Sequence, residues 1–147
     1  MKKAFITLLV AFIALAEAPA QYQSSVAGAT KNTVTLRCTG YGRKAAIAAT
    51  DAELSAVKTL LFAGAKGTPH SIPLIQESKE TMEDKFKRFF NAFYNDTYKD
   101  FIESSVIVVP YGKNALKQKC ITLDVCIRVA QLRAYLESNG IIRKFGF

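Results

Sequence analysis

The residues best suited to contact a ligand form a glycine-rich basic turn. Gly40, Tyr41, Gly42, Arg43 and Lys44 follow a predicted strand and precede a predicted helix. A helix N-terminus presents unpaired backbone N–H groups and the positive end of the helix dipole, and two adjacent cations there favour an anionic group. The turn lacks the third glycine and the following acid of a dinucleotide-binding fingerprint. Two interpretations stay open: a tight turn with solvated cations, or a contact with an anion or a partner.

A second candidate surface is a concentration of aromatic side chains at helical spacing. Its members are Phe86, Phe89, Phe90, Phe93, Tyr94, Tyr98 and Phe101. Because a helix normally turns such a stripe inward, we predict that the phenylalanines anchor the core. A docking stripe is the alternative, and Tyr94 and Tyr98 are the members that we expect to be exposed for binding.

The chain has one histidine and three cysteines. A small hydrolase could use His70 with a cysteine or a carboxylate. The spacing of Cys38, Cys120 and Cys126 matches no zinc pattern, so we expect neither a metal nor a cofactor. Cys120 and Cys126 lie about 20 Å apart along one predicted strand, and a disulfide needs about 6 Å between Cα atoms. We therefore expect free thiols, with Cys38 on an apolar strand face and the other two on a polar face.

Composition excludes several classes of protein. A chain of 147 residues is too short for a complete TIM barrel, a two-domain dehydrogenase or a polytopic transporter. No nucleophile-elbow, zinc-protease, phosphate-loop or kinase motif occurs, so no catalytic residue is assigned.

The net charge is +8, but the cations are scattered. The local clusters are Lys85, Lys87 and Arg88, and Lys113, Lys117 and Lys119. We expect no nucleic acid, and instead an acidic partner protein or an anionic surface polymer.

The first twenty residues have the pattern of a secretory signal peptide. Lys2-Lys3 precedes an apolar run over residues 4–16, which is too short for a membrane span of about 20 residues. Ala18-Pro19-Ala20 supplies the small residues that signal peptidase requires, and we predict cleavage before Gln21. The protein is then periplasmic or secreted, and we expect no transmembrane segment in the mature chain.

Residues 21–33 are small and polar and predict a flexible leader, so the folded domain is expected over 34–147. The predicted elements are a strand at 34–39, a helix at 43–62, a helix at 77–95 with a short continuation at 97–103, strands at 106–109 and 120–129, and a helix at 131–138. This order, β-α-α-β-β-α, predicts an α+β fold with helices packed on one face of a small, mostly antiparallel sheet.

The strand, Gly-x-Gly turn, basic pair and alanine-rich helix of residues 34–62 carry a family resemblance. They resemble the opening unit of small envelope domains in a periplasmic flagellar-assembly protein and in related surface lipoproteins. Leu60-Leu61-Phe62, Pro73-Leu74 and the closing residues 140–147 are similar to small exported Gram-negative proteins of uncharacterised function. No cysteine follows the apolar segment, which departs from the lipoprotein members. The resemblance implies a noncatalytic envelope role.

Three functional hypotheses follow. The first is an exported noncatalytic module that binds a protein partner or supports an assembly of the cell envelope through protein–protein contacts. The second is a small secreted hydrolase that uses His70 with a cysteine or a carboxylate, and the third is a binder of an anionic surface polymer. A compact pocket joining His70 to a nucleophile favours the hydrolase, and one continuous basic surface favours the polymer binder.

Overall fold

The computed structural model describes residues 24–144, so the predicted signal peptide and its cleavage position lie outside the described residues. The elements in chain order are β1 (Ser24–Ala29), β2 (Thr33–Tyr41), α1 (Ala45–Phe62), α2 (Lys79–Lys85), α3 (Lys87–Asn95), a 3-10 helix (Thr97–Phe101), β3 (Ile102–Lys113), β4 (Lys119–Arg128) and α4 (Val129–Ser138). Within this part of the chain, no helix is both long enough and apolar enough to cross a bilayer.

The predicted α+β class is confirmed. The four strands form one antiparallel sheet in the order β1-β2-β4-β3, and α1 packs mainly against the two central strands. The element order differs from the expected one by an additional strand at the start and by the division of the second predicted helix. Chain-adjacent strands pair in hairpins at both sides of the sheet, while β2 and β4 meet in its centre.

The flexible leader expected at 21–33 is wrong over its described part. Residues Ser24–Ala29 form edge strand β1, which pairs antiparallel with β2. Thr30 N donates to Thr33 O at 2.8 Å, and Thr33 N donates back to Thr30 Oγ1 at 3.0 Å, closing a tight hairpin. Small polar residues have weak strand propensity of their own. The open edge of β2 supplies the hydrogen bonds that make them a strand.

The core lies between the helix-facing side of the sheet and the helices. The alternation expected in the two central strands is confirmed, with Val34, Leu36, Cys38, Ile121, Leu123, Val125 and Ile127 buried. From α1, the small residues Ala48, Ala52 and Ala56 are fully buried against them. Their size lets the helix approach the sheet closely.

Gly40 lies at the closest approach of β2 and α1. A Cβ atom at this position would overlap the Ala48 carbonyl oxygen and the Ala52 amide nitrogen. Both are backbone atoms, which cannot move aside as a flexible side chain can. Glycine is therefore required here by helix-on-sheet packing.

The second predicted helix is divided at Phe86, whose backbone angles (φ −117°, ψ 41°) leave the helical region. The core prediction for the aromatic stripe is confirmed for Phe90, Phe93 and Phe101, which are buried, while Phe86 and Phe89 are half-buried and pack against the core. Phe89 stacks on Phe93 with ring centroids 5.6 Å apart, and Tyr135 of α4 lies 5.7 Å from Phe89. The stripe therefore joins α3 to α4.

The third strand is longer than the predicted residues 106–109 and extends beyond them at both ends. β3 runs through Pro110 to Lys113, and the hairpin turn begins at Asn114. Asn114 Oδ1 accepts from the N–H groups of Leu116 and Gln118 at 2.9 and 3.0 Å. A proline is compatible with β3 because this strand forms an edge of the sheet.

Candidate functional site

The turn between β2 and α1 and the hairpin between β3 and β4 lie together at one end of the sheet. Tyr41 is paired with Cys120 in the strand register, and Gly42 N donates to Lys119 O at 3.2 Å. Tyr111 Oη donates to Gly42 O at 2.8 Å and ties β3 to the turn. The fold thus joins two segments that are about seventy residues apart in the chain.

This arrangement gathers cations that the sequence shows only as separate clusters. We call the resulting surface the basic end, and its members are Arg43, Lys44, Lys113, Lys117 and Lys119. All five are exposed, and none forms a salt bridge with another residue of the described range 24–144. No Asp or Glu occurs in residues 21–50 or 104–123. The two segments therefore contribute positive charge without an acidic residue of their own.

One pair in the basic end is electrostatically unfavourable. Lys113 and Lys119 are directly opposite each other in the β3–β4 register. Like charges at opposed positions of an antiparallel pair destabilise the sheet. The cost is recovered when an anionic group lies between or above the two ammonium groups, as in a binding surface.

The turn amides differ from the expectation of unpaired N–H groups. Tyr41 N donates to Asp51 Oδ2 at 2.9 Å, and Gly42 N is bonded to Lys119 O. The side chain of Lys44, which stands at the N-cap of α1, makes no capping hydrogen bond. The side-chain cations, and not the amides of Tyr41 and Gly42, are what this surface offers to an anion.

The five predicted turn residues therefore have different roles. Gly40 is buried and serves the packing described above. Gly42 is half-buried, and a Cβ atom there would crowd α1. Tyr41 is 41% exposed, and Arg43 and Lys44 are exposed. The exposed members are Tyr41, Arg43 and Lys44.

Tyr98 was expected to be an exposed contact residue, and this expectation is wrong. Its side chain is fully buried, because the 3-10 helix that follows α3 turns it toward α1. Burial raises the pKa of Tyr98, and the negative charge of Glu53 adds to the shift. Its hydroxyl is buried with no hydrogen-bond partner among residues 24–144. Tyr98 belongs to the core.

Tyr94 is half-buried and occupies a different environment from the basic end. Its hydroxyl donates to Glu83 Oε1 at 2.7 Å, and Lys58 Nζ lies 4.5 Å from the ring centroid. Burial lowers the pKa of Lys58, and the positive charge of Lys79 adds to this effect. Tyr94 thus joins α1 to α2 and α3 and leaves only part of its ring to solvent.

His70 lies in the loop after α1. Its Nε2 donates to Thr30 O at 2.7 Å, and its backbone N donates to Thr68 Oγ1 at 3.0 Å. The first contact ties the loop to the β1–β2 hairpin, and the second lies within the loop. The imidazole of His70 thus bonds to a backbone carbonyl oxygen, and the backbone N–H of His70 bonds to a threonine hydroxyl.

The three cysteines are unpaired. Cys38 is buried on the apolar face of β2, where burial raises the pKa of its thiol to about 12. Cys120 and Cys126 are half-buried on the opposite face, and Cys126 Sγ lies 3.5 Å from Glu103 Oε2. The face assignment predicted for all three is confirmed. In the described residues, no group of three His, Cys, Asp or Glu side chains is arranged to hold a metal ion.

Two open depressions occur on the surface formed by residues 24–144. One of about 400 Å³ lies between β1, β2 and the end of α1, and is lined by residues that include Ser24, Thr59 and Lys66. The other, of about 750 Å³, is shallow and is lined by Arg88, Asn91, Ala92, Tyr94 and Asn95. Neither lining includes His70 or a cysteine.

No protein-family model, curated protein or solved structure matches this chain. Sequence reasoning shows the basic end only as two separate clusters, because its two halves are about seventy residues apart in the chain. The long acid-free stretches on either side of it were the signal that could have joined them.

Proposed function

We propose that this protein is an exported, noncatalytic binding module of the cell envelope, and that it docks an acidic surface of a partner protein on the basic end. The observation that carries this proposal is the convergence of Arg43 and Lys44 with Lys113, Lys117 and Lys119. All five are exposed cations without a salt bridge among the described residues.

The physical basis is electrostatic complementarity. A surface with an excess of positive charge attracts an oppositely charged partner over several ångströms and raises the rate of productive encounter. Tyr41, exposed beside the cations, adds an aromatic ring that can pack on a partner. An acidic protein surface provides counter-ions for the opposed Lys113 and Lys119 side chains, which form no salt bridge among residues 24–144.

Two further features support the envelope setting. The basic start, short apolar run and Ala18-Pro19-Ala20 site of the first twenty residues have the pattern of a signal peptide. The strand, basic turn and alanine-rich helix of residues 34–62 resemble the opening unit of small envelope domains.

A second candidate is the binding of an anionic surface polymer by the same residues. The observation that favours it is that the five cations are exposed, and that none of them lines either of the two depressions described above. A flexible polyanion needs charge and little shape complementarity.

The test compares two variants with the same change in net charge. The first replaces Arg43, Lys44, Lys113 and Lys119 by Ala. The matched control replaces Lys31, Lys66, Lys87 and Arg88, which are also exposed and form no salt bridge among residues 24–144. We expect the first variant to recover about tenfold less partner from an envelope fraction, from about 0.3–0.5 kcal/mol per charge. Equal recovery by both variants would overturn the proposal.

A photoreactive amino acid at position 41 separates the two candidates. A protein partner gives a crosslinked band of discrete mass that the four-alanine variant loses. An anionic polymer gives no such band, and instead heparin, used as a soluble polyanion probe, retains the wild-type protein and not the four-alanine variant. Both signals should weaken as salt rises, because charges are screened beyond about 10 Å at 0.1 M ionic strength.

A further inference from the structure

The turn of the β3–β4 hairpin, residues 114–118, carries an exposed leucine among the cations of the basic end. We call this turn the hairpin tip. Leu116 is 77% exposed, more than any other large apolar side chain that residues 24–144 expose. Lys117 follows it in the chain, and Lys113 and Lys119 are paired directly below the tip. Burying such a side chain against another apolar surface is favourable, and the described fold leaves Leu116 uncovered.

Hydrogen bonds hold the hairpin tip in one conformation. Asn114 Oδ1 accepts from the N–H groups of Leu116 and Gln118, and Asn114 Nδ2 donates to Gln118 Oε1 at 3.2 Å. Lys117 N donates to Asn114 O at 2.9 Å, and Asn114 N donates to Gln118 O at 3.0 Å. A side chain on a fixed turn loses little conformational freedom when a partner covers it. The tip therefore presents Leu116 in a form suited to a partner of fixed shape.

Lys117 has a backbone conformation that favours glycine. Its φ is 60°, in the left-handed region, and within residues 24–144 no other residue except glycine has a positive φ. Glycine adopts this conformation without steric cost and is the usual residue at such a position of a hairpin turn. A lysine makes the turn less stable but adds a cation beside Leu116. An unfavourable conformation of this kind indicates a role for the side chain that it carries.

Two other exposed apolar side chains lie at the same end of the sheet. Tyr41 is 41% exposed and is paired with Cys120. Ile47 is 52% exposed, and a Cβ atom at Gly42 would lie 2.7 Å from Ile47 Cγ2, so Ile47 lies against the glycine that follows Tyr41. A partner that covers the basic end therefore meets apolar groups as well as cations.

We propose that Leu116 is the apolar anchor of the basic end, and that it binds an apolar pocket bordered by acidic side chains on the partner protein. This role rests on the proposed function and adds the chemistry of the partner's surface. Charge complementarity selects the acidic border, because Lys113, Lys117 and Lys119 belong to the same hairpin and residues 104–123 contain no Asp or Glu. The pocket follows from Leu116, since an aliphatic anchor needs a recess that excludes water.

A protein pocket fits these observations better than an anionic bilayer does. A bilayer is fluid and accepts an apolar side chain in many orientations, so it gains nothing from a turn that hydrogen bonds fix. Stable binding to a bilayer also requires a broad apolar face or a second anchor. The hairpin tip offers one large apolar side chain.

The first test uses two acidic polymers that differ in apolar content. Poly-L-glutamate supplies charge alone, and a random copolymer of glutamate and tyrosine supplies charge with apolar groups. By calorimetric titration at equal carboxylate concentration, we expect wild type to bind the copolymer about tenfold more tightly than poly-L-glutamate, and Leu116→Ser to abolish this difference. Ile72→Ser is the control and should retain it. Ile72 is 67% exposed, in the loop that His70 ties to Thr30 at the other end of β2.

The second test separates the apolar contact from the charges. The effect of Leu116→Ser should persist at high salt, because an apolar contact is not screened, whereas the effect of the four-alanine variant should shrink. Lys117→Gly should raise the melting temperature and weaken the binding of both polymers, because it relieves the backbone and removes the cation. Weaker binding by a more stable variant does not come from misfolding.

The outcomes distinguish the anchor from the proposed function. If wild type binds both polymers more tightly than the four-alanine variant does, but Leu116→Ser binds the copolymer as wild type does, the basic end stands and the anchor is wrong. If the four-alanine variant binds both polymers as wild type does, both proposals fail. Phosphatidylglycerol vesicles that bind wild type more tightly than the copolymer does, and lose Leu116→Ser, would assign the tip to a bilayer and overturn the pocket. Unchanged binding by Lys117→Gly would also overturn it.

Discussion

At the residue scale, the hydroxyl of Tyr98 is the least satisfied polar group of the described core. The ring is fully buried, and the oxygen has no hydrogen-bond partner in residues 24–144. Thr50 and Glu53 of α1 are close enough to influence its ionisation, with burial as the main cause of its raised pKa. A buried hydroxyl without a partner costs about 1–3 kcal/mol of stability. The ring more than offsets this cost by filling the space beside α1.

We expect Tyr98→Phe to raise the free energy of unfolding by about 1 kcal/mol, because it removes the unpaired oxygen and keeps the ring. Tyr98→Ala is the control for the ring, and should lower it by about 3–5 kcal/mol. Urea denaturation monitored by circular dichroism measures both. A loss of stability in Tyr98→Phe would show that the hydroxyl is bonded to Thr50 or Glu53.

At the element scale, the approach of α1 to β2 determines the shape of the turn that carries Arg43 and Lys44. Ala48 and Ala52 face the strand where Gly40 has no side chain. The first turn of α1 is thereby held close to the sheet. The Gly-x-Gly sequence is thus explained by packing at its first glycine, and the binding role stays with the cations that follow.

We expect Gly40→Ala to lower the free energy of unfolding by about 3 kcal/mol or more, because the new Cβ overlaps two backbone atoms of α1. Gly28→Ala is the matched control on β1, where a Cβ meets no atom within 4 Å. That control should change stability by less than about 1 kcal/mol. Comparable melting temperatures for the two variants would contradict the close packing of α1 on β2.

At the scale of the whole molecule, the sheet decides which charges come together. The β3–β4 register places Lys113 opposite Lys119, and the β2–β4 register places Tyr41, which is followed closely by Arg43 and Lys44, opposite Cys120. The basic end therefore exists only in the folded sheet.

The basic end should also show a conflict between stability and binding. Lys119→Glu replaces a like-charge pair with Lys113 by an opposite-charge pair, and should raise the free energy of unfolding by about 0.5 kcal/mol at low salt. The same change should weaken the retention of poly-L-glutamate, used as an acidic probe. Thermal melts and probe binding at low and high salt measure both effects, with Lys87→Glu on α3 as the control. If Lys119→Glu is less stable than the wild-type protein and retains poly-L-glutamate equally well, Lys119 has no part in the basic end.

Local patterns determined the α+β class, the inward faces of the central strands and the burial of Phe90 and Phe93, because each depends on residues only a few positions apart. Contacts between residues far apart in the sequence decided three other features: strand β1, the burial of Tyr98 and the basic end. β1 exists because β2 offers it an open edge, and Tyr98 is buried because the 3-10 helix directs it toward α1. Arg43 and Lys119 lie at the same end of the sheet only because β2 and β4 pair in a register that places Tyr41 opposite Cys120. A register depends on the whole sheet, and no stretch of sequence contains it.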